Sequence, residues 1–436
     1  MTYDHQGRRG QRLTATVTDL EVEVQKAFLI GVLLPDSTVE AEERSLDELE
    51  LLTDTAGSDP AGRELVRRDA PDAAYFIGSG KAKELRGVTK VLDIDVVVFD
   101  NELSPAQQRN LQQIFECDVV DREALILDIF AQHATSREGA LQVELALLRY
   151  RLPRLRGMGK QLSQQGAGIG TRGPGETKLE TDRRRIEGKI AKLVRELKAL
   201  SSTRKTQRKA RRRAAMPQVA LIGYTNAGKS TLLNLVTEAD VLAEDRLFST
   251  LDSTVRRADL PDGQTVLLSD TVGFVRRLPH QLVEAFRSTL DDVKDSDLLL
   301  HLVDSSDPDP EGQMAAVHEV IEEVGADDVP ELIVFNKIDQ ADPVEIGRLR
   351  RLYPDSPMIS ALTGEGVEGL LTLLGEALHA ETVLLRMSIP YDRGDVLAAA
   401  HRLGEVLVEK HEDTSTVLEA RIPVVDQSRF SEFIQA

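Results

Sequence analysis

Residues 218–237 read QVALIGYTNAGKSTLLNLVT. An apolar run closes on a glycine, a short polar loop follows, and a helical pattern opens at Lys229. The stretch Gly223–Ser230 satisfies G-x-x-x-x-G-K-[ST], the signature of a phosphate-cradling loop. Glycines at both ends let the backbone close, so that the N–H groups of Gly223, Tyr224, Thr225, Asn226, Ala227 and Gly228 can converge on a diphosphate. Lys229 would bring a positive charge to the β- and γ-phosphates. Ser230, with Thr231 beside it, would place a hydroxyl on Mg²⁺. A strand before the motif and a helix after it separate this match from a chance one.

Three further elements follow in order, each at the end of an apolar run. Asp270 closes TVLLSD and begins Asp270-Thr271-Val272-Gly273. Its carboxylate would hold Mg²⁺ through water, and the Gly273 N–H would sense a γ-phosphate. Asn336-Lys337-Ile338-Asp339 closes ELIVFN. The Asp339 carboxylate can pair with N1–H and the 2-amino group of guanine, donors that adenine lacks, and desolvating it without them costs several kcal/mol. Asn336 would tie loops together, while the Lys337 stem would lie along the base. Ser360-Ala361-Leu362 would offer backbone N–H to the guanine O6. Four such elements in this order specify a GTP-binding domain.

A switch segment belongs between the loop and Asp270, where residues 246–257 read RLFSTLDSTVRR. It should supply a threonine whose hydroxyl meets Mg²⁺ and whose N–H meets the γ-phosphate; Thr250 and Thr254 both qualify. Arg276 and Arg277, just after Phe274, either reach the nucleotide or face solvent, and the solvated reading is the expected one. The residue after Gly273 is Phe274, where many GTPases carry a water-orienting glutamine.

The remaining sequence surrounds this domain with smaller parts. At 436 residues the chain is long for one core, and 41% hydrophobic with 29% charged residues is ordinary for a globular protein. No apolar run approaches the ~20 residues of a membrane helix. The N-terminal residues have no apolar core, so neither a secretory leader nor an integral membrane partner is expected, and the cytoplasm is the expected compartment. The single cysteine, Cys117, excludes an intramolecular disulfide and a cysteine metal cage. His301 alternates into a buried strand and is expected in the core; without an H-x-x-H pair, no transition-metal site is expected.

Strand and helix patterns alternate through residues 1–121, with strands at KAFLIGVLL, IDVVVFD and CDVVD and helices at 45–57 and 104–115. The tempting GSGK at 78–81 lacks both the leading glycine and a following hydroxyl residue, so it reads as a turn before a helix. Helical patterns over 122–215, interrupted by a glycine-rich stretch, predict a long helical arm. The GTP-binding domain is expected over 216–380, its short apolar runs, SPMISA included, forming a mainly parallel sheet. A small α+β unit is expected over 381–436, with DVLAAAHRLGEVLVEK as its helix. The fold class is thus multi-domain α/β. Net charge is −19, yet SSTRKTQRKARRRAA (201–215) contains no acid. A basic segment on an acidic protein points to a localised polyanion contact.

TRGPGETKLETDRRRI, followed by GYTNAGKSTLLN, FSTLDSTVRR, DTVGFVRRLP and NKID, resembles the HflX family of Obg–HflX-like GTPases over roughly residues 20–380. The resemblance implies that Thr250 is the magnesium-binding switch threonine, with Phe248, Ser249, Leu251 and Asp252 around it at the nucleotide. It implies GTP hydrolysis with Mg²⁺, an apolar residue after D-x-x-G, and association of the arm with the large ribosomal subunit and its RNA. Ribosome splitting or rescue is the implied role, with Lys229, Thr250 and Gly273 stabilising the developing charge. The alternative is a slow-turnover, GTP-gated ribosome assembly or binding factor. A monomer is expected, slow alone and stimulated by the ribosome.

Overall fold

The computed structural model describes residues 24–155, 174–212, 216–237, 247–248, 254–277, 290, 292–380 and 382–435. The chain divides into two compact units, residues 1–197 with 244–251 and 276–286, and the remainder.

The first unit is built on a four-stranded sheet in the order β2-β1-β3-β4, all parallel. Its strands are β1 (Lys26–Leu33), β2 (Asp59–Arg67), β3 (Val96–Phe99) and β4 (Asp118–Asp121). Helices α1 (Val39–Thr55), α2 (Ser79–Val91) and α3 (Pro105–Phe115) make the crossovers. The central strands β1 and β3 are apolar almost throughout because both faces are covered, and Phe28, Ile30, Val97 and Phe99 fill the core between sheet and helices. Edge strand β2 alternates in burial and has no strand signature in sequence. α3 starts as its residues dictate: Ser104 and Gln107 form a reciprocal capping box and Pro105 occupies the first turn. GSGK is the start of α2, and Lys81 is held by Glu64 at 2.9 Å and Glu84 at 2.8 Å.

The helical region resolves into α4 (Arg122–His133), α5 (Arg137–Arg154) and α6 (Pro174–Arg212), with Ser136 capping α5. The glycine-rich stretch, 157–173, lies outside the described residues. Asp121 fastens α5 to the sheet, accepting hydrogen bonds from Tyr150 Oη at 2.9 Å and Arg154 Nη2 at 3.0 Å. α6 pairs internally along its first half, Arg184 with Glu180, Arg183 with Glu187 and Lys192 with Glu196, each four residues apart.

One pairing goes beyond what the sequence predicts. Arg277 is exposed, as expected, with 45% of its side chain accessible, but its guanidinium is also anchored, donating to Asp100 at 2.9 Å and Glu42 at 2.7 Å. Both carboxylates are buried, at 1% and 2% exposure, and Asp100 also receives Arg122 Nη1 and the Ser45 hydroxyl, each at 2.7 Å. Carboxylates in such surroundings require counter-charge. Asp100 stands at the end of β3, beside β1, where the strand order reverses.

The second unit contains a five-stranded sheet in the order β6-β7-β5-β8-β9. Its strands are β5 (Gln218–Gly223), β6 (Val255–Asp259), β7 (Thr265–Asp270), β8 (Leu298–Asp304) and β9 (Glu331–Asn336). All pairings are parallel except the β6–β7 hairpin. Helices α7 (Lys229–Thr237), α8 (Pro310–Val324), α9 (Pro343–Leu352) and α10 (Val367–Ala380) accompany them. SPMISA is not a full strand. Only Met358 bridges to Phe335, because Pro357 has no N–H to donate and Ser360 already opens a turn closed by Gly364 N–H at 2.8 Å.

A second sheet, antiparallel in the order β10-β12-β11, comprises β10 (Thr382–Pro390), β11 (Glu405–His411) and β12 (Ser415–Pro423), with α11 (Gly394–Leu403) packed on it. The helix expected across DVLAAAHRLGEVLVEK stops at Leu403. Gly404 is extended and lies so close to β12 that a Cβ would stand 2.4 Å from the Arg421 carbonyl oxygen, and EVLVEKH continues as a strand.

Arg277→Ala removes two charge-assisted hydrogen bonds from buried carboxylates. The first unit is expected to lose about 2 kcal/mol, read by chemical denaturation. A variant as stable as the parent would assign Arg277 no structural role.

Candidate nucleotide site and family

The loop between β5 and α7 is shaped by three left-handed residues, Gly223 at φ +146°, Asn226 at +60° and Gly228 at +92°. Two of them are glycine for a second reason. A Cβ on Gly223 would stand 2.2 Å from the Leu302 carbonyl oxygen, and one on Gly228 2.2 Å from Asn336 Nδ2. Asn336 uses that closeness: its amide donates to the Ala227 carbonyl at 2.8 Å and accepts from Ala361 N–H at 2.9 Å. One buried side chain thus ties together the phosphate-type loop, the N-K-x-D turn and the Ser360–Leu362 segment. The D-x-x-G segment is clasped to the same loop. Thr225 N–H donates to the Phe274 carbonyl at 2.7 Å, and Phe274 N–H to the Gly223 carbonyl at 3.2 Å. Gly273 is the residue this approach demands, since a Cβ would meet Thr225 Cα at 2.9 Å. Phe274 is buried at 2% exposure.

Electrostatically the site is poised for phosphate. Lys229 donates to the carbonyls of Tyr224 at 2.7 Å and Gly223 at 3.1 Å. Burial pushes its ammonium down to about 8, against the opposing pull of Asp270. Ser230 Oγ donates to Asp270 Oδ2 at 2.7 Å, both residues being buried. A hydroxyl beside a carboxylate is an all-oxygen set, which fits a hard cation of the Mg²⁺ type. Thr271 gives its hydroxyl to the Leu221 carbonyl at 2.6 Å, so its side chain serves the sheet.

At the N-K-x-D turn, Lys337 is left-handed at φ +62° and its ammonium meets Asp304 Oδ2 at 2.7 Å. Ile338 N–H reaches the Ile359 carbonyl at 3.3 Å. Asp339 is exposed, so the protein itself does not desolvate its carboxylate, and the expected selectivity would need a bound base to cover it. Ser360 and Ala361 are buried and Leu362 is exposed. Asp304 and its neighbour Ser305, whose hydroxyl caps the Asn336 carbonyl at 2.5 Å, went unnoticed in sequence. Their signal was a carboxylate closing the apolar run of β8. In the switch segment, Ser249, Thr250, Leu251 and Asp252 lie outside the described residues. Phe248 belongs to the first unit, where its ring meets Phe130 edge-on at 4.6 Å. Thr254 has its carbonyl engaged by Asp270 N–H at 2.9 Å.

Three family models match in succession. Their descriptions are GTP-binding GTPase N-terminal over 43–131, GTP-binding GTPase middle region over 133–211, and 50S ribosome-binding GTPase over 218–337. The GTPase HflX of Caldanaerobacter subterraneus is 42% identical over 416 residues, 95% of each chain. The chain belongs to the HflX family. The Escherichia coli K12 HflX is 43% identical over 408 residues, 93% of this chain and 95% of that one. A solved GTP-binding protein of Sulfolobus solfataricus in complex with GDP covers 81% of this chain and 99% of its own, at 24% identity and a TM-score of 0.42. As an HflX-family member the chain binds and hydrolyses GTP, and the family is ribosome-associated. Among the described residues, no helix is long and apolar enough to cross a membrane.

The lowered Lys229 value carries a sign. The unfolded chain holds this proton up to about pH 10.5, the folded nucleotide-free chain only to about pH 8, so the unfolded state binds more protons between those limits. The group's contribution to stability therefore rises from pH 8 to 10.5. The melting temperature of the parent, minus that of Lys229→Met, is expected to climb over that window; a flat difference would show that the ammonium is not desolvated.

Proposed function

We propose that this GTPase couples its nucleotide cycle to association with the large ribosomal subunit, and so to ribosome splitting or rescue, acting as a cytoplasmic monomer. The observation that carries this reading is the Phe274 clasp. The residue after D-x-x-G has no polar side chain, and its backbone N–H and carbonyl are both spent on the phosphate-type loop. In this reading the loop N–H groups and Lys229 hold the β- and γ-phosphates, and Gly273 N–H and Thr250 meet the γ-phosphate. Ser230, Thr250 and Asp270 hold Mg²⁺, which would neutralise charge on the phosphates. Asp339 reads guanine while Ala361 N–H, positioned by Asn336, lies near its O6. The attacking water lacks a side chain to orient it. Turnover should therefore be slow until a partner surface orders the water, a contribution worth ~10³–10⁵ in rate among GTPases.

The organisation proposed for this role is a first α/β domain (1–121), a helical arm (122–215), the GTP-binding domain (216–380) and an α+β tail (381–436). Support for an RNA-facing arm comes from the acid-free stretch 201–215 and from the family description naming the 50S particle. A GTP-gated assembly or binding factor with little turnover is the second reading, favoured by the same Phe274.

Turnover measured alone and with large subunits separates the two. Stimulation by several orders of magnitude, abolished in Lys229→Ala, is the expected result; turnover that stays flat with tight GTP-dependent binding selects the second. Asp339→Ala is expected to weaken GTP by about 2–4 kcal/mol, some 30- to 1,000-fold in Kd, measured by calorimetry. Unchanged affinity would remove Asp339 from base recognition.

A further inference from the structure

On the second unit, three side chains from three elements converge at one point. His301 lies on β8, His318 on α8, and Glu331 is the first residue of β9. Their ligand atoms all lie within 4.8 Å of one another, and among the described residues theirs is the one such group of three. His301 Nδ1 stands 2.6 Å from Glu331 Oε1, and His318 Nε2 stands 3.0 Å from both Glu331 oxygens. Two imidazole nitrogens thus compete for the same carboxylate oxygen, although a hydrogen-bonding cluster of this size could spread them over four lone pairs.

We propose that His301, His318 and Glu331 form a binding site for a first-row transition dication of the zinc type, with its fourth position open to solvent. Two imidazoles and a carboxylate are the donor set such a cation prefers, and nitrogen donors select against Mg²⁺. Around a tetrahedral centre with bonds of about 2.1 Å, donors stand roughly 3.4 Å apart, so the 2.6 and 3.0 Å separations need to open by less than about 1 Å. The entry side is already there: His301 is buried at 1% exposure, whereas the side chains of Glu331 and His318 are 24% and 42% exposed. Burial keeps His301 below its ordinary value, and therefore neutral, the form in which imidazole binds a metal. Burial would raise Glu331, but hydrogen bonds from His301 and His318 outweigh it and keep the carboxylate ionised.

A cation here would clip β8, β9 and α8 together. Those two strands end in Asp304 and Asn336, which position the base-recognition turn. The site is separate from the oxygen set of Ser230 and Asp270, and its existence does not depend on what the GTPase binds.

Cobalt(II) is the probe, added to the full chain with excess Mg²⁺ and GDP already in the nucleotide site. One equivalent is expected to give the visible absorption of a four-coordinate nitrogen–oxygen centre. His318→Ala and Glu331→Gln should each weaken binding at least about tenfold. Metal-free His318→Ala should hydrolyse GTP at the parent's rate, showing that the variant is folded. No absorbing species, or equal affinity in parent and both variants, overturns the site. So does loss of binding in His401→Ala, which would move the metal to the His401–Glu409 pair on the C-terminal sheet.

Discussion

The candidate nucleotide site hangs on the two hydrogen bonds of one neutral amide. Asn336 closes β9, and from there reaches the loop after β5 on one side and the turn after Met358 on the other. The position calls for a group that both donates and accepts. A carboxylate could not donate to Ala227, and a cation could not accept from Ala361. The arrangement also dictates its neighbour, for the amide occupies the space where any side chain at 228 would begin. Motif residues that look independent in sequence, Gly228, Asn336 and Ala361, are therefore parts of one contact. The parallel sheet supplies the precondition, since it brings the C-terminal ends of β5, β8 and β9 to one edge.

Around that contact the protein holds charge in a state that favours an anion. Lys229 is desolvated and satisfied only by carbonyl oxygens, which phosphate oxygens can outbid electrostatically. Ser230 and Asp270 are already joined, so in the proposed site their oxygens would be oriented before a cation bound. Preorganisation of this kind removes reorganisation from the binding event and leaves affinity to the new contacts. Phe274 completes the picture differently: its backbone is structural, and its ring adds apolar burial where other GTPases place an amide.

The sequence displayed what depends on local pattern. Buried parallel strands stand out as continuous apolar runs, and the phosphate-type loop is defined by residues that only its backbone conformation requires. Capping of α3 was readable for the same reason. What stayed hidden depends on partners distant in the chain. β2 is an edge strand whose alternating burial resembles a polar loop. Helical spacing continued past Leu403, and only the approach of β12 to Gly404 makes the following residues a strand. SPMISA looked apolar enough for a strand but is limited by Pro357. Arg277 finds its carboxylates on β3 and α1, far upstream. His301, as expected, is buried, yet its companions come from a helix and a strand edge, so no spacing rule brings the three together.

Helix α6 is electrically two helices. Its first half neutralises itself through pairs four residues apart. The sequence of its second half repeats the same spacing with like charges at 204 and 208, 205 and 209, and 208 and 212, a pattern that by itself disfavours a helix. A polyanion laid along that half would relieve the repulsion while forming its own contacts. Helix stability and anion affinity are then linked quantities, each raising the other.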